Sequence, residues 1–339
     1  TLDGRGDLAT DTLMGGLGGD VYLFGRGSGS DSIVEIGDIS SIDTIRLAAG
    51  ITPSEISVKR SRTDLILQLD GSADRITVKG AYASDASASS RIERVEFFDS
   101  TVWTEADLNE KILTGSVGDD VVDGFDANDV IHGMAGRDTV NGFGGDDILF
   151  GDDGSDLLNG GDGNDTLDGG ASTDMLSGGL GSDVYRYARG SGIDSIFESG
   201  SNEGDIDVVL MGPDILPSDI VLTRYANSTE YESLRLSIKT SDGSEPTDYL
   251  NIVNFFSRQD GYFKVEKIQF ANGTSWDTAT ISTLVDTGTD LNDVISGDRW
   301  DNAINGGKGN DLLNGYTGND TLSGGSGNDL LYGGAGDDV

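Results

Sequence analysis

The sequence predicts an all-β chain in which blocks of a nonapeptide solenoid alternate with small β-rich inserts. Three observations predict it. Glycine recurs every nine residues from Gly115 to Arg186 without a break in register, with an aspartate five residues after it and an apolar side chain seven after it. The stretches between such blocks lose that period and show alternation of apolar and polar residues instead. Those stretches also resemble one another, so the chain reads as about two periods of a tandem array, offset by the 163 residues from Asp20 to Asp183.

Residues 1–24 read as a partial solenoid block with Asp11 and Asp20 at its acidic positions. Residues 25–112 read as a first insert, entered through Tyr22-x-Phe24-x-x-Gly27-x-Gly29-x-Asp31-x-Ile33-x-Glu35. Eleven residues separate Asp20 from Asp31, so the solenoid reads as continuing past a two-residue insertion, with Asp31 as a further ligand. Leu65–Leu69 and Arg75–Val78 alternate as half-buried strands, and Thr104–Leu113 reads as a short helix leading back into a solenoid.

Residues 113–186 hold eight nonapeptides, with Asp120, Asp129, Asp138, Asp147, Asp156, Asp165, Asp174 and Asp183 at the sixth position. Val122, Ile131, Val140, Leu149, Leu158, Leu167, Leu176 and Tyr185 follow at the eighth. Residues 187–286 read as a second insert, entered through Tyr185-x-Tyr187-x-x-Gly190-x-Gly192-x-Asp194-x-Ile196-x-Glu198, with Asp194 in the place of Asp31. Pro53-Ser54-Glu55-Ile56 matches Pro217-Ser218-Asp219-Ile220, Arg60 matches Arg224, and Glu93–Phe97 matches Glu266–Phe270. Leu234–Ile238 alternates as a strand, Asn272-Gly273 signals a hairpin, and Asp277–Val285 a short helix. Residues 287–339 form a last block of six nonapeptides, with acids at Asp293, Asp311, Asp320, Asp329 and Asp338. The chain thus begins and ends inside a solenoid block, and it reads as a piece of a longer protein.

Each nonapeptide spends six residues on Gly, Asp, Asn and Ser, which tolerate tight turns and positive φ, and three on a short strand. One such strand cannot fold alone. Stacked turns bury the eighth-position side chains in one narrow core column. The turns meanwhile concentrate carboxylates, as in Gly160–Asp168, where three acids fall within nine residues. These repel one another unless a cation sits between them, and free backbone carbonyls can complete its shell. A hard cation taking about 6–8 oxygens is the natural occupant, which points to calcium. One His and no Cys argue against zinc, copper and iron. Magnesium demands a small octahedral cage that such loops do not obviously offer.

The repeats match G-G-x-G-x-D-x-U-x, and on these residues the chain resembles the RTX (repeats-in-toxin) family of haemolysin-type calcium-binding proteins. The resemblance implies a parallel β-roll with two nonapeptides per coil and calcium held between repeat n and repeat n+2. About ten ions would then carry roughly +20 against the formal charge of −38, leaving the unloaded chain self-repelling and disordered. Gly297–Asn305 departs from the pattern at Trp300, whose turn position is expected either to be exposed or to cap the roll against the preceding insert, and at Asn302, which stands where Asp is wanted. Leu291 displaces a glycine one repeat earlier. Sites on these two turns are expected to be weak or absent, leaving about eight. Ala127 and Ser172 are milder departures. The inserts resemble the domain often found beside such repeats and named for that association. The resemblance further implies export through type I secretion machinery, unfolded in the calcium-poor cytosol and folded outside the cell or at its surface.

Other function classes fare worse. With 22 basic residues and a charge of −38, the chain suits neither nucleic acid nor an anionic membrane surface. No signal peptide opens it, and no run of about 18 apolar residues could span a membrane. His132, the only histidine, falls at an outward-facing ninth position, which closes Ser-His and Cys-His nucleophile systems. The expectation is a non-catalytic, calcium-loaded structural module of a large secreted bacterial protein. Two alternatives stand beside it. One is an adhesin or lectin segment gripping extracellular glycans through insert aromatics such as Tyr225, Tyr231, Phe255, Phe256, Tyr262, Phe263 and Trp276, which otherwise form a β-domain core. The other is the accessory region of a secreted hydrolase, epimerase or toxin.

Overall fold

A computed structural model describes residues 1–6, 8–35, 41–61, 63–83, 91–198, 204–225, 233–240, 246–256 and 265–339. They form two compact units, one of Thr1–Gly115 with Val122–Gly124, the other of Ser116–Val121 with Phe125–Val339.

In the second unit, three-residue strands stack in parallel with a register shift of one coil. Ile131 pairs with Leu149, Leu149 with Leu167 and Leu167 with Tyr185, each step being 18 residues, or two nonapeptides. The alternate repeats build a second parallel sheet, in which Val140 pairs with Leu158 and Leu158 with Leu176. The expected single core column is therefore two rows, because successive nonapeptides turn through half a coil and deliver their apolar side chains from opposite sheets. In the last block, Ile295 and Leu313 of one sheet pack with Ile304 and Leu322 of the other. Ile131, Val140, Leu149, Leu158 and Leu167 are all fully enclosed at 0% exposure.

A core this thin makes each member count. Leu167→Ala is expected to destabilise the calcium-loaded chain by about 2–5 kcal/mol, because the neighbouring coils cannot collapse onto the void. Val130→Ala, at a half-exposed position on the same sheet, is expected to cost within about 0.5 kcal/mol. Urea unfolding in saturating calcium compares the two. Equal losses would mean that the rows are not the core.

The roll does not stop where the nonapeptide period stops. Ile193–Ile196 adds to the second sheet beside Met175–Leu180, and Val208–Met211 adds to the first beside Val184–Tyr187, both in parallel. Tyr249–Ile252 and Lys267–Gln269 follow, again in parallel. Each sheet then closes with antiparallel strands. Ser233–Ile238 and Ile220–Tyr225 finish one sheet, and Ser275–Asp277 finishes the other across the Asn272-Gly273 turn. The helix α1, Glu105–Ile112, and the helix α2, Thr278–Val285, occupy the predicted places. Asp277 caps α2 by accepting from Thr280 N at 2.8 Å, and Ile281 and Val285 are its buried side chains.

The first unit repeats this plan. Thr12–Met14, Ser30–Val34 and Arg75–Val78 run in parallel before Asp64–Leu69 and Ile56–Ser61 turn antiparallel. Leu2–Asp3, Val21–Phe24, Thr44–Leu47 and Arg94–Glu96 form the companion parallel sheet, closed by Val102–Thr104. Among the described residues, no helix is long and apolar enough to cross a membrane.

Glycine is obligatory where one turn lies against the next. Gly163, at φ +145°, would carry its Cβ into the carbonyl oxygen of Gly145 in the preceding coil.

Candidate metal centre

Successive sixth-position aspartates are joined from coil to coil through one carboxylate oxygen. The backbone N–H of Asp129 donates to Asp147 Oδ1 at 2.8 Å, Asp147 to Asp165 at 2.8 Å, and Asp165 to Asp183 at 2.8 Å. The interleaved series runs Asp120 to Asp138, Asp156 and Asp174 at 2.7–2.8 Å per step. In the last block, Asp293 donates to Asp311 at 2.9 Å, Asp311 to Asp329 at 3.0 Å and Asp320 to Asp338 at 3.0 Å. The ladder also crosses the insertions. Asp174 donates to Asp194 at 3.0 Å and Asp11 to Asp31 at 3.0 Å. Every aspartate expected as a ligand thus stands on one ladder per sheet edge.

In the opening turns the second oxygen accepts a local N–H, Asp120 Oδ2 from Ser116 at 2.7 Å, Asp129 Oδ2 from Phe125 at 2.6 Å and Asp293 Oδ2 from Thr289 at 2.6 Å, but deeper in the stack it has no such bond. Oδ2 of Asp138, Asp147, Asp156, Asp165, Asp174, Asp183, Asp311 and Asp320 is buried and accepts no hydrogen bond. Each such atom turns back toward the glycine that opens its repeat: a Cβ added at Gly169 would lie 2.5 Å from Asp174 Oδ2. Beside Gly142, a Cβ would meet both Asp147 Oδ2 and the carbonyl oxygen of Gly160, one coil on. Carboxylate and carbonyl oxygens therefore converge on the same small space, which only glycine keeps open.

Burial pushes these carboxyls up, against the pull of the donated N–H and with help from neighbouring acids. Asp147 and Asp183 rise to about 7, and Asp156 and Asp165 to about 6. A carboxylate held dry, with one oxygen bonded and one orphaned, needs either a proton or a cation. The donor set is all oxygen and hard, so it fits calcium.

Several features were not legible from the period. Fifth-position side chains build a second, exposed ladder of opposite sense, in which the later coil donates: Asn164 N to Asp146 Oδ1 at 2.8 Å and Ser182 N to Asn164 Oδ1 at 2.9 Å. The deviant turn at Gly297–Asn302 is closed by its own groups. Asn302 N still donates to Asp320 Oδ1 at 2.8 Å, but Asn302 Oδ1 accepts from Asp298 N at 2.8 Å. Positive charge arrives there from Arg224, whose Nη1 lies 2.8 Å from Asp298 Oδ2 and whose Nη2 lies 2.9 Å from Asp286 Oδ1. Trp300, for which the sequence leaves exposure and capping of the roll both open, is half-buried, with the Arg299 guanidinium 5.3 Å from its ring. His132 is half-buried, stacked on Phe150 at 4.6 Å, with Nδ1 2.9 Å from Asp152. Of the insert aromatics, Phe255 and Phe256 are core and Trp276 packs edge-on against Phe270. The side chains of Tyr225, Tyr231, Tyr262 and Phe263 lie outside the described residues.

A parallel roll whose turns stack carboxylates around glycine-lined spaces defines a calcium-binding solenoid protein. The chain carries RTX repeats: the model of the RTX calcium-binding nonapeptide repeat (4 copies) matches residues 112–140, 123–158, 150–185, 287–322 and 314–339. The haemolysin-type calcium binding protein related domain matches twice, at 64–107 and 234–280. None of the curated proteins matches the sequence. Among solved structures, the solution structure of the AlgE6R3 subunit of the Azotobacter vinelandii mannuronan C5-epimerase is 21% identical, with a TM-score of 0.18, over 43% of this chain and 83% of that one. The crystal structure of the extracellular lipase LipA from Serratia marcescens is 13% identical, with a TM-score of 0.20, over 72% of this chain. The match spans 36% of the lipase.

Proposed function

We propose that this chain is a non-catalytic structural module of a larger secreted protein, ordered by calcium after export. The orphaned buried Oδ2 atoms carry this reading: eight carboxylates are folded into dry positions that only a cation or a proton can satisfy. The chain's own residues do the work by presenting oxygens on a fixed 18-residue pitch and by excluding water from one side of each turn. Bound calcium supplies the positive charge that lets neighbouring coils approach.

Equilibrium dialysis tests it. About eight to ten calcium ions per chain are expected, with little magnesium bound under the same conditions. A chain that binds neither ion, or both equally, sinks the reading.

The pH dependence has a definite sign. Asp147, Asp156, Asp165 and Asp183 have folded-state values raised to about 6–7, above the unfolded value of 3.8. Their contribution to the calcium-free fold is therefore complete below about pH 4 and lost as pH rises through about 6–7. Calcium binds the deprotonated forms, so its affinity runs the other way. Circular dichroism of the calcium-free chain is expected to gain β signal between pH 8 and pH 5, while calcium affinity weakens over the same range. A calcium-free chain insensitive to pH in that interval would show that these carboxyls are not dry.

A further inference from the structure

Three carboxylates meet at a point that no nonapeptide describes. Asp183, Glu198 and Asp207 offer oxygens that all lie within 4.8 Å of one another, and Asp20, Glu35 and Asp43 do the same in the first unit. Only Asp183 and Asp20 occupy sixth positions of the repeat. Glu35 and Glu198 lie just past the strands Ser30–Val34 and Ile193–Ile196 that follow the Tyr-x-[Phe/Tyr]-x-x-Gly-x-Gly motif, and Asp43 and Asp207 return on the next coil. The ladder passes through the two aspartates of each triad: Asp183 N donates to Asp207 Oδ1 at 2.8 Å, and Asp207 N to Glu266 Oε2 at 2.8 Å. In the first unit, Asp20 N donates to Asp43 Oδ1 at 2.7 Å and Asp43 N to Glu93 Oε2 at 2.8 Å.

Three acids in one place are not by themselves a site. Here Asp183 and Asp207 are 0% exposed, and Glu35 and Asp43 only 3% and 2%. Asp183 Oδ2 and both carboxylate oxygens of Glu198 are buried without a hydrogen bond. In the first unit the Tyr22 hydroxyl donates to Glu35 Oε1, and a Cβ at Gly15 would meet that hydroxyl first, then Glu35 Oε1 at 2.6 Å and Asp20 Oδ2 at 2.7 Å, so only glycine leaves room there. Three anions at this separation in a dry setting repel one another unless neutralised. Three acids converge in both units, although the Tyr22 hydroxyl takes up one oxygen of Glu35 in the first, and the chain between the second and third acids differs in length by one residue (Glu35 to Asp43, Glu198 to Asp207).

We propose that each triad binds one divalent cation of the calcium class, at a site distinct from the nonapeptide sites and set where the roll passes into its insert. The inference rests on the calcium-binding reading above. A third carboxylate makes each triad more anionic than a pair contributed by two repeats, so it fills before them. Occupancy ties the long return strands to the last regular coil, which makes the triad the clamp for each insert.

The test is calcium equilibrium dialysis on the full chain. Glu198→Gln keeps the shape and removes the charge, and it is expected to lower the count by one ion. Glu35→Gln with Glu198→Gln is expected to lower it by two. An unchanged count, with other ions still bound, overturns the clamp alone. A parent chain that binds no calcium overturns the wider reading as well. If the Gln variants do not fold, infrared difference spectra of the unsubstituted chain decide. Calcium is expected to convert buried carboxyl bands to carboxylate, with the largest change at the lowest calcium added. Loss of those bands only after the other sites have filled would count against a clamp that fills first.

Discussion

Removing calcium from the loaded chain is expected to abolish most of its β signal. The charge of −38 is spread along a molecule whose rows of enclosed side chains are one residue wide per turn. Such a core offers little against the entropy of ordering turns built largely of glycine. Each occupied site adds about 2.7 kcal/mol at a hundredfold excess of calcium over its dissociation constant. Several sites together then exceed the roughly 5–15 kcal/mol by which a domain is usually stable. Circular dichroism and calorimetry in chelator, in calcium and in magnesium measure this. A cooperative transition with calcium alone is expected, weakened strongly by Asp147→Ala with Asp165→Ala. A chain that keeps its β signal in chelator would mean that the hairpins and the two apolar rows suffice, and that the metal is an accessory.

The second large effect is expected at Arg224. Its side chain is 3% exposed, bridges Asp286 and Asp298, and lies 4.1 Å from the ring of Phe256. Arg224→Met preserves the packing and strands two buried acids, so a loss of about 3–5 kcal/mol is expected in the last block. Arg224→Lys is expected to recover only part, since one ammonium cannot span both carboxylates as a guanidinium fork does. Adding Asp298→Asn to Arg224→Met is expected to restore stability by relieving one stranded charge. Urea unfolding in saturating calcium reads all four chains. Additive losses would show that Arg224 and Asp298 do not act together.

These two cases mark how far the residues speak for themselves. The nine-residue spacing names Leu149, Leu167 and Asp147 as core and ladder, since every copy does the same job at the same phase. Helix α2 is announced by Asp277 and its buried Ile281 and Val285. By contrast, Asp207 and Glu266 reach the ladder, and Glu198 comes beside it, after returns of no fixed length, so no period points to them. Glu198 and Glu266 did show as matches of Glu35 and Glu93 between the two halves, but a match does not say what a side chain touches. Arg224 was visible in the same way, as the counterpart of Arg60, which donates to the Gly124 carbonyl. That a guanidinium supplies the charge beside Asn302 depends on folding Arg224 back across 74 residues. The fifth-position ladder was hidden for another reason: Asn and Asp suit a turn whether or not they bond across it.

The carboxylate ladder also sets what the scaffold can carry. The same N–H to carboxylate bond closes over 18 residues from Asp165 to Asp183, 20 from Asp174 to Asp194, 24 from Asp183 to Asp207 and 59 from Asp207 to Glu266, always at 2.8–3.0 Å. A coil is thus defined by where its acid returns, and the length of the path is free. Closing a longer loop costs only about 0.6 kcal/mol per doubling. Guest sequence grafted between two rungs should therefore be displayed at a fixed pitch on one edge, with calcium serving as the latch that presents or releases it.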